Sequence, residues 1–535
     1  MNKNFKLLVI VLTVVLFSGL LLVGCTPSEG PNETPETPDP VEEQPGSEPG
    51  TSKSRDRIVY GVGVDATTLD PHFADNVPVG NLVMHLHNTL VTWETPEEMN
   101  IVGSLAESWD VSEDEKTWTF YLKEGITFHD GAKFNAEAVK KTFERILDDN
   151  LGSPRKSILS MITDINVIDE YTVALTTEEP FGPFLSQLST YNAAIISPKA
   201  IDEYGDDYSN HPSGTGPYKL KEWQSGERII LERNEDYFGD APPTKELIFE
   251  VIPEGATRVM ALQSGEVDLI TNVPPYEVDN LRNTDGIEVR LDEGFRTIYL
   301  GFNLQRPPFD DVRVRQALNY AIDRQSIIDV ILDGAATMAV GPEATSIPGA
   351  SKDLYQYTYN PEKAKQLLAE AGYEDGIEIS FISPQGRYNM DRQIAEAIQA
   401  QLGEAGIKAN LQVLEFSIIQ DILASGEADL FLMGKGSPAA DLDFTAQICW
   451  TIGGSLNYGK MKNQEIHDLV AEQRRTTDPV ERTEVLQTMQ EKIQEELPWA
   501  SLHYEKQIIA HNKNMTGLKV WPNEFIDFRS AEIKE

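Results

Sequence analysis

The stretch DRQIAEAIQAQLGEAGIKANLQVL, residues 391–414, holds the pattern on which the fold turns. Ile394, Ala397, Ile398 and Leu402 recur at helical spacing, so residues 391–405 are predicted to form a helix with that face inward. Gly406 supplies the stop, because glycine takes a left-handed backbone without steric cost. Ile407 to Leu414 follows as a strand. The same plan extends on both sides. Upstream, Asn360-Pro361 places a cap before a proline at the first helical position. Ala364, Leu367, Leu368 and Ala371 then form one face, and Gly372 ends it. Downstream, Asp478-Pro479 opens a helix with Glu481 at the capping-box position and a face of Val485, Met489, Ile493 and Leu497. Near the start, Ile58 to Val64 and Thr117 to Leu122 (TWTFYL) read as strands, and Asp130-Gly131 as a turn. Asn135 caps a helix with the stripe Ala138, Val139, Phe143 and Ile146. Helices alternating with short strands predict α/β layers. A chain of 535 residues exceeds one hydrophobic core, so at least two lobes are expected.

The N-terminus is an address. Lys3 and Lys6 precede an apolar run, Leu7 to Val23, and Leu22-Val23-Gly24-Cys25 follows. A basic start, an apolar stretch and small residues before a cut define a secretory signal over residues 1–24. The tetrad resembles the bacterial lipobox. That resemblance implies a lipidated Cys25 carrying diacylglycerol and palmitate-type chains, and an extracytoplasmic protein anchored to the outer face of the cell membrane. Thr26 to Ser54 reads TPSEGPNETPETPDPVEEQPGSEPGTSKS. Proline removes backbone donors, acids repel one another, and little is apolar, so residues 25–55 are predicted to be a disordered tether. Order is expected to begin near Arg57.

The 86 acidic and 45 basic residues leave a formal net charge of −41, which disfavours a nucleic-acid partner because nothing offsets phosphate repulsion. It equally disfavours adsorption to an anionic lipid surface. The charge reads as a solvated exterior, or as a field that steers a cationic ligand. The two cysteines are Cys25 and Cys449. With Cys25 lipidated, no internal disulfide remains, and Cys449 reads as a buried thiol.

Motifs for chemistry fail on context. Gly61-Val62-Gly63-Val64-Asp65-Ala66 loosely fits a dinucleotide loop, but Pro71 resists the helix that loop requires. Ser153-Pro154-Arg155-Lys156 fits S-x-x-K without the S-D-N and K-T-G elements that accompany it. His85 and His87 at i,i+2 point to different faces of a helix and have no acidic or cysteine cluster beside them, so no metal site is expected. His129 reads as a turn residue. No nucleophile, base and orienter set is visible, so no enzyme and no cofactor are expected.

Several longer phrases carry a resemblance. They include IVYGVGVDATTLDP (58–71), GSLAESWDVSEDEKTWTFYLKEGITFHDGAKFNAEAV (103–139), GTGPYKL (214–220), GFNLQRPPFDDVRVRQALNYAIDR (301–324) and YNPEKAKQLLAEAGY (359–373). In their joint order they resemble the family 5 extracellular solute-binding proteins, the peptide- and nickel-type binding components of ABC importers. The resemblance implies a two-lobed α/β fold of the periplasmic-binding-protein type with an extra domain in the N-terminal lobe. Domain I would comprise 56–90, 214–298 and 505–535, the inserted domain II 91–213, and domain III 299–504. It implies a monomer that captures a peptide or peptide-like solute in an interlobe cleft and hands it to a permease and ATPase complex. A nickel chelate, glutathione, an opine or an oligosaccharide is the alternative cargo, and a surface sensor or hydrolase a more distant one.

A buried peptide needs a carboxylate near its amine and a cation near its carboxylate. By the resemblance, Asp441 and Asp443, after the strand Ala428 to Gly434, are candidates for the amine. Arg387 with Tyr388 occupies the place of a carboxylate-binding arginine, whose fork matches a carboxylate in two-point geometry. Lys435 stands where relatives commonly carry tryptophan. It either faces the cleft and favours an anionic ligand group, or extends its ammonium to solvent.

Overall fold

The computed structural model describes residues 54–437 and 439–535. The signal segment, Cys25 and the tether as far as residue 53 lie outside the described residues. The chain is fixed earlier than expected. Ser54 bridges to Lys534, the Arg55 amide donates to the Ile533 carbonyl, and the Arg55 guanidinium meets Asp268 at 2.6 Å. The C-terminal strand and a buried acid thus capture residues whose composition alone reads as tether.

The caps act where their chemistry puts them. Asn135, Asn360 and Asp478 each accept an amide of the first turn of their helices, Ala136–Leu147, Pro361–Glu370 and Pro479–Glu496. Gly372 and Gly406 lie at φ 94° and 81°, in the left-handed region the helix ends require. Two helical faces differ from expectation at one residue each. In Asp391–Glu404 Ala395, rather than Ala397, is buried, and in Pro479–Glu496 Leu486, rather than Val485.

The main sheet has 11 strands. One half is built on Arg57–Val62, which runs parallel to Glu246–Val251 and Leu269–Ile270. The other is built on Ile377–Pro384, parallel to Ile407–Leu414 and Leu430–Lys435. Two long antiparallel strands, Ile287–Phe302 and Trp499–Asn512, run through both halves. Their register shifts between Glu293 and Thr297. A Cβ on Gly294 would lie 2.6 Å from the Glu505 carbonyl oxygen, so only glycine allows the two strands to approach here.

Each half has its own apolar core. Ile298, Leu300, Phe381, Ile398, Leu432 and Trp450 belong to the larger one, and Ile58, Leu82, Tyr218, Phe249 and Phe528 to the other. Between the helix Val77–Leu86 and the strand Tyr218–Gln224, the chain detours through a separate four-stranded sheet. That sheet has a third core around Phe120, Phe134, Phe143 and Leu175. The two halves form a two-lobed α/β fold, with an extra domain inserted in the N-terminal lobe.

The histidines are structural. His85 bonds the Asn81 carbonyl and accepts the Phe528 amide, while His87 bonds the Val83 carbonyl and the Tyr208 hydroxyl. Cys449 is buried, and burial pushes its thiol up to about 12.

Candidate functional site

Three parallel strands of the C-terminal lobe end on one edge; Lys435 is the last residue of one, Asp441 and Asp443 follow it, and Arg387 and Tyr388 follow its neighbour Ile377–Pro384. The carboxyl end of an α/β sheet is where such folds seat ligands, because loops and helix starts converge there. The loop after Ile377–Pro384 is shaped by one acid. Asp391 accepts the amides of Gly386, Arg387 and Tyr388 at 3.0, 2.8 and 3.1 Å. Tyr388 is buried and donates its hydroxyl to the Gly434 carbonyl at 3.1 Å. A Cβ on Gly434 would come within 2.7 Å of the Tyr388 ring, so the glycine makes this packing possible. Arg387 is exposed. Its guanidinium stacks 5.3 Å from the Tyr388 ring and 5.1 Å from Phe416, and it makes no ion pair among the described residues.

The other three residues are engaged internally. Lys435 does not extend its ammonium to solvent. It is buried against Glu343 in an ion pair, hydrogen-bonds Thr445 at 3.3 Å and lies over the Trp499 ring at 5.7 Å. Glu343 also accepts the Trp450 indole N–H at 3.4 Å. Burial raises the Glu343 carboxyl, and Lys435 beside it pulls against that rise. Asp441 caps the short helix Leu442–Thr445 and pairs with both Arg482 nitrogens at 2.6 and 2.8 Å. It also accepts the hydroxyl of Ser186 at 2.9 Å. Burial works to raise Asp441, but the Arg482 guanidinium outweighs it and holds the carboxyl below its ordinary range. Asp443 accepts Gln473 at 2.7 Å and lies 3.2 Å from Arg474. For Asp443 burial prevails and the carboxyl is raised.

Ser186 belongs to the inserted domain, so Asp441 lies where that domain meets the C-terminal lobe. The neighbouring Gly182 amide donates to the Arg474 carbonyl at 2.7 Å, and a Cβ there would lie 2.2 Å from the Thr476 carbonyl oxygen.

A further network sits at the register shift of the shared strands. Arg296 meets Glu505 at 3.1 Å and Glu524 at 2.8 Å, and Glu505 accepts the Asn389 amide at 3.2 Å. Burial raises the Glu505 carboxyl against the pull of Arg296. The loop holding Arg387 is therefore tied to the bulge of the shared strands and, through Glu524, to the C-terminal turn. Sequence reasoning missed Glu343, Arg482, Arg296, Glu505 and Glu524. Their partners are remote in the chain, and no local spacing marks them. Among the described residues, no group of three or more His, Cys, Asp or Glu could hold a metal ion, and no helix is long and apolar enough to cross a membrane.

This is the architecture of the two-lobed periplasmic binding proteins, with the candidate residues at the carboxyl ends of the parallel strands of the C-terminal lobe. Residues 100–455 match the bacterial extracellular solute-binding proteins, family 5 Middle, and the chain belongs to that family. The glutathione-binding protein GsiB of Shigella flexneri serotype 5b (strain 8401) is 30% identical over 488 residues, 89% of this chain and 94% of that one. HbpA2 of Haemophilus parasuis superposes with a TM-score of 0.82 at 27% identity, over 90% of this chain and 100% of that one. The periplasmic binding protein DppA of Helicobacter pylori, in complex with the peptide STSA, superposes with a TM-score of 0.73 at 28% identity, over 90% and 98%. Proteins of this family bind solutes for transport.

Proposed function

We propose that this chain is the substrate-binding component of an ABC importer, anchored through Cys25, which takes up a peptide-like anion between its lobes and delivers it to a permease. The observation that supports the anionic cargo is Arg387. It is the cation of the candidate set without a counter-ion among the described residues, and two rings orient its planar face. A guanidinium so placed receives a carboxylate in two-point geometry at little entropic cost. The relatives point the same way, since GsiB is named for glutathione and DppA holds the peptide STSA. Asp441 enters this reading differently. An ammonium reaching it has to displace Arg482, so Asp441 serves as a contact between inserted domain and C-terminal lobe rather than as the receptor of an amine.

The test is thermal unfolding of the purified chain with short peptides, glutathione, Ni(L-His)2 and oligosaccharides. Cargo at about 100 times its Kd adds roughly 2.7 kcal/mol of stability by mass action. Peptide or glutathione should raise the midpoint, and Arg387→Ala should cut the stabilisation to about 0.4–1.4 kcal/mol at the same concentration. Stabilisation by oligosaccharide alone, or by nickel chelate alone, refutes the peptide-like cargo and leaves the transport role standing.

A further inference from the structure

A crevice with about 480 Å³ of water-accessible space lies between the segment 177–181 of the inserted domain and the helix Gln464–Arg475 of the C-terminal lobe. That volume is in the range that holds a small ligand. The helix wall is basic. His467, Ala471 and Arg474 recur at i, i+4 and i+7, so they share one face of the helix, and Arg475 stands beside them. The opposite wall carries Glu178 and Glu179. The apolar part of the lining includes Phe181 and Val470, both buried.

The charges of the two walls do not meet. Arg475, Glu178 and Glu179 are exposed, and none of their side chains makes an ion pair or hydrogen bond among the described residues. The Arg474 guanidinium is oriented but not saturated. Its Nε lies 3.2 Å from Asp443, and the group lies 5.0 Å from the centre of the Phe181 ring. Neither of its terminal nitrogens has a hydrogen-bond partner among the described residues. The Ile452 amide donates to Nδ1 of His467 at 3.2 Å, so the neutral ring carries its proton on Nε2, which is left as a donor. Cations in the last turn suit the helix dipole. That explains two arginines at the helix end, but not two carboxylates set across open space from them.

A simple anion in this crevice would meet the guanidiniums and be repelled by Glu178 and Glu179, and a simple cation would meet the reverse. A molecule that carries both charges and an apolar side chain satisfies both walls and the lining between them. We infer that this crevice is a second ligand site, separate from Arg387, and that it takes a small zwitterion of the amino-acid class. The ligand carboxylate meets Arg474 and Arg475, its ammonium meets Glu178 and Glu179, and its aliphatic side chain lies against Phe181 and Val470. A ligand so held touches the inserted domain and the C-terminal lobe together. It adds to their direct links, Ser186 with Asp441 and the Gly182 amide with the Arg474 carbonyl. The crevice shares no residue with the Arg387 loop, so the inference stands or falls apart from the cargo proposed above.

The test is calorimetric titration of the purified chain with L-leucine and two blocked forms. N-acetyl-L-leucine keeps only the carboxylate, and L-leucinamide keeps only the ammonium. Leucine should bind, and blocking either charge should weaken binding about tenfold or more, the order of one charge-assisted hydrogen bond. Arg475→Ala, and the double variant Glu178→Gln with Glu179→Gln, change exposed residues. Each should weaken leucine about tenfold or more, whereas Arg387→Ala should leave it within about twofold. Three results overturn the second site: no leucine binding, a blocked form that binds as tightly as leucine, or binding that is lost in Arg387→Ala and kept in the crevice variants. None of the three bears on peptide capture at Arg387.

Discussion

Two loops leave neighbouring parallel strands of the C-terminal lobe and treat charge in opposite ways. In the segment 435–443, Lys435, Asp441 and Asp443 are buried and each meets a counter-charge from a remote part of the chain. In the loop 385–390, Arg387 stands at the surface on two aromatic rings with no counter-ion among the described residues. Buried charge must be neutralised where it lies, because an unpaired ion in a low dielectric is prohibitive. Charge held at the surface on a rigid platform stays available to a partner from outside. The first loop is tied into the fold by its ion pairs, and the second carries the charge that is proposed to meet a ligand.

Breaking the pairs of the first loop should have the largest effect. Arg482→Ala leaves Asp441 buried without its cation and should cost about 3–5 kcal/mol of stability. Denaturant titration reads this directly, and an unchanged midpoint would show that Asp441 finds another partner. Lys435→Met alone should cost a similar amount, whereas Lys435→Met with Glu343→Leu should return to within roughly 1 kcal/mol of the wild type, since well-packed apolar groups replace a buried pair at little net cost. Failure of the double variant to recover would mean that the pair also orders its surroundings.

The second loop should behave in the reverse manner. Arg387→Ala should leave stability within about 0.5 kcal/mol, as for other exposed positions, and lower affinity for a peptide-like anion about 10- to 100-fold. Measured together, the two numbers separate the loops. A large stability loss without an affinity loss would invert the comparison.

Acidity gives the smallest and sharpest test. Arg482 holds the Asp441 carboxyl below 3.8. Below that value the unfolded chain takes up the proton first, so the contribution of Asp441 to stability is full above roughly pH 4 and is lost as pH falls through the lower folded value. The stability gap between wild type and Asp441→Asn should be level above pH ~4 and close below it. A gap that stays constant to pH ~2 would sever the link to Arg482.

Much of the fold was legible because its signals are local. A cap, a proline and a glycine stop act within a few residues, and Asn360, Asp478, Gly372 and Gly406 all behave as their chemistry requires. The faces of two helices differed at one residue each, because several apolar residues compete for the inward stripe and local spacing alone does not choose between them. The family phrases brought five residues to one sheet edge, but their roles were not legible. Glu343 lies 92 residues from Lys435, Arg482 41 from Asp441, and Ser186 255 from Asp441. No spacing rule spans such separations. The Lys435 alternatives, cleft or solvent, both assumed that a lysine keeps its charge near water. Glu343 removes that need.

The bulge at 294–296 has a consequence for energetics. The ladder between the two long strands is interrupted there, between Glu293 and Thr297. Around it Arg296 meets its two acids, while Ser186 with Asp441 and the Gly182 amide with the Arg474 carbonyl join the inserted domain to the C-terminal lobe. A solute that touched both lobes would add its own contacts to that set, and could favour one arrangement over another only by its difference in affinity for the two.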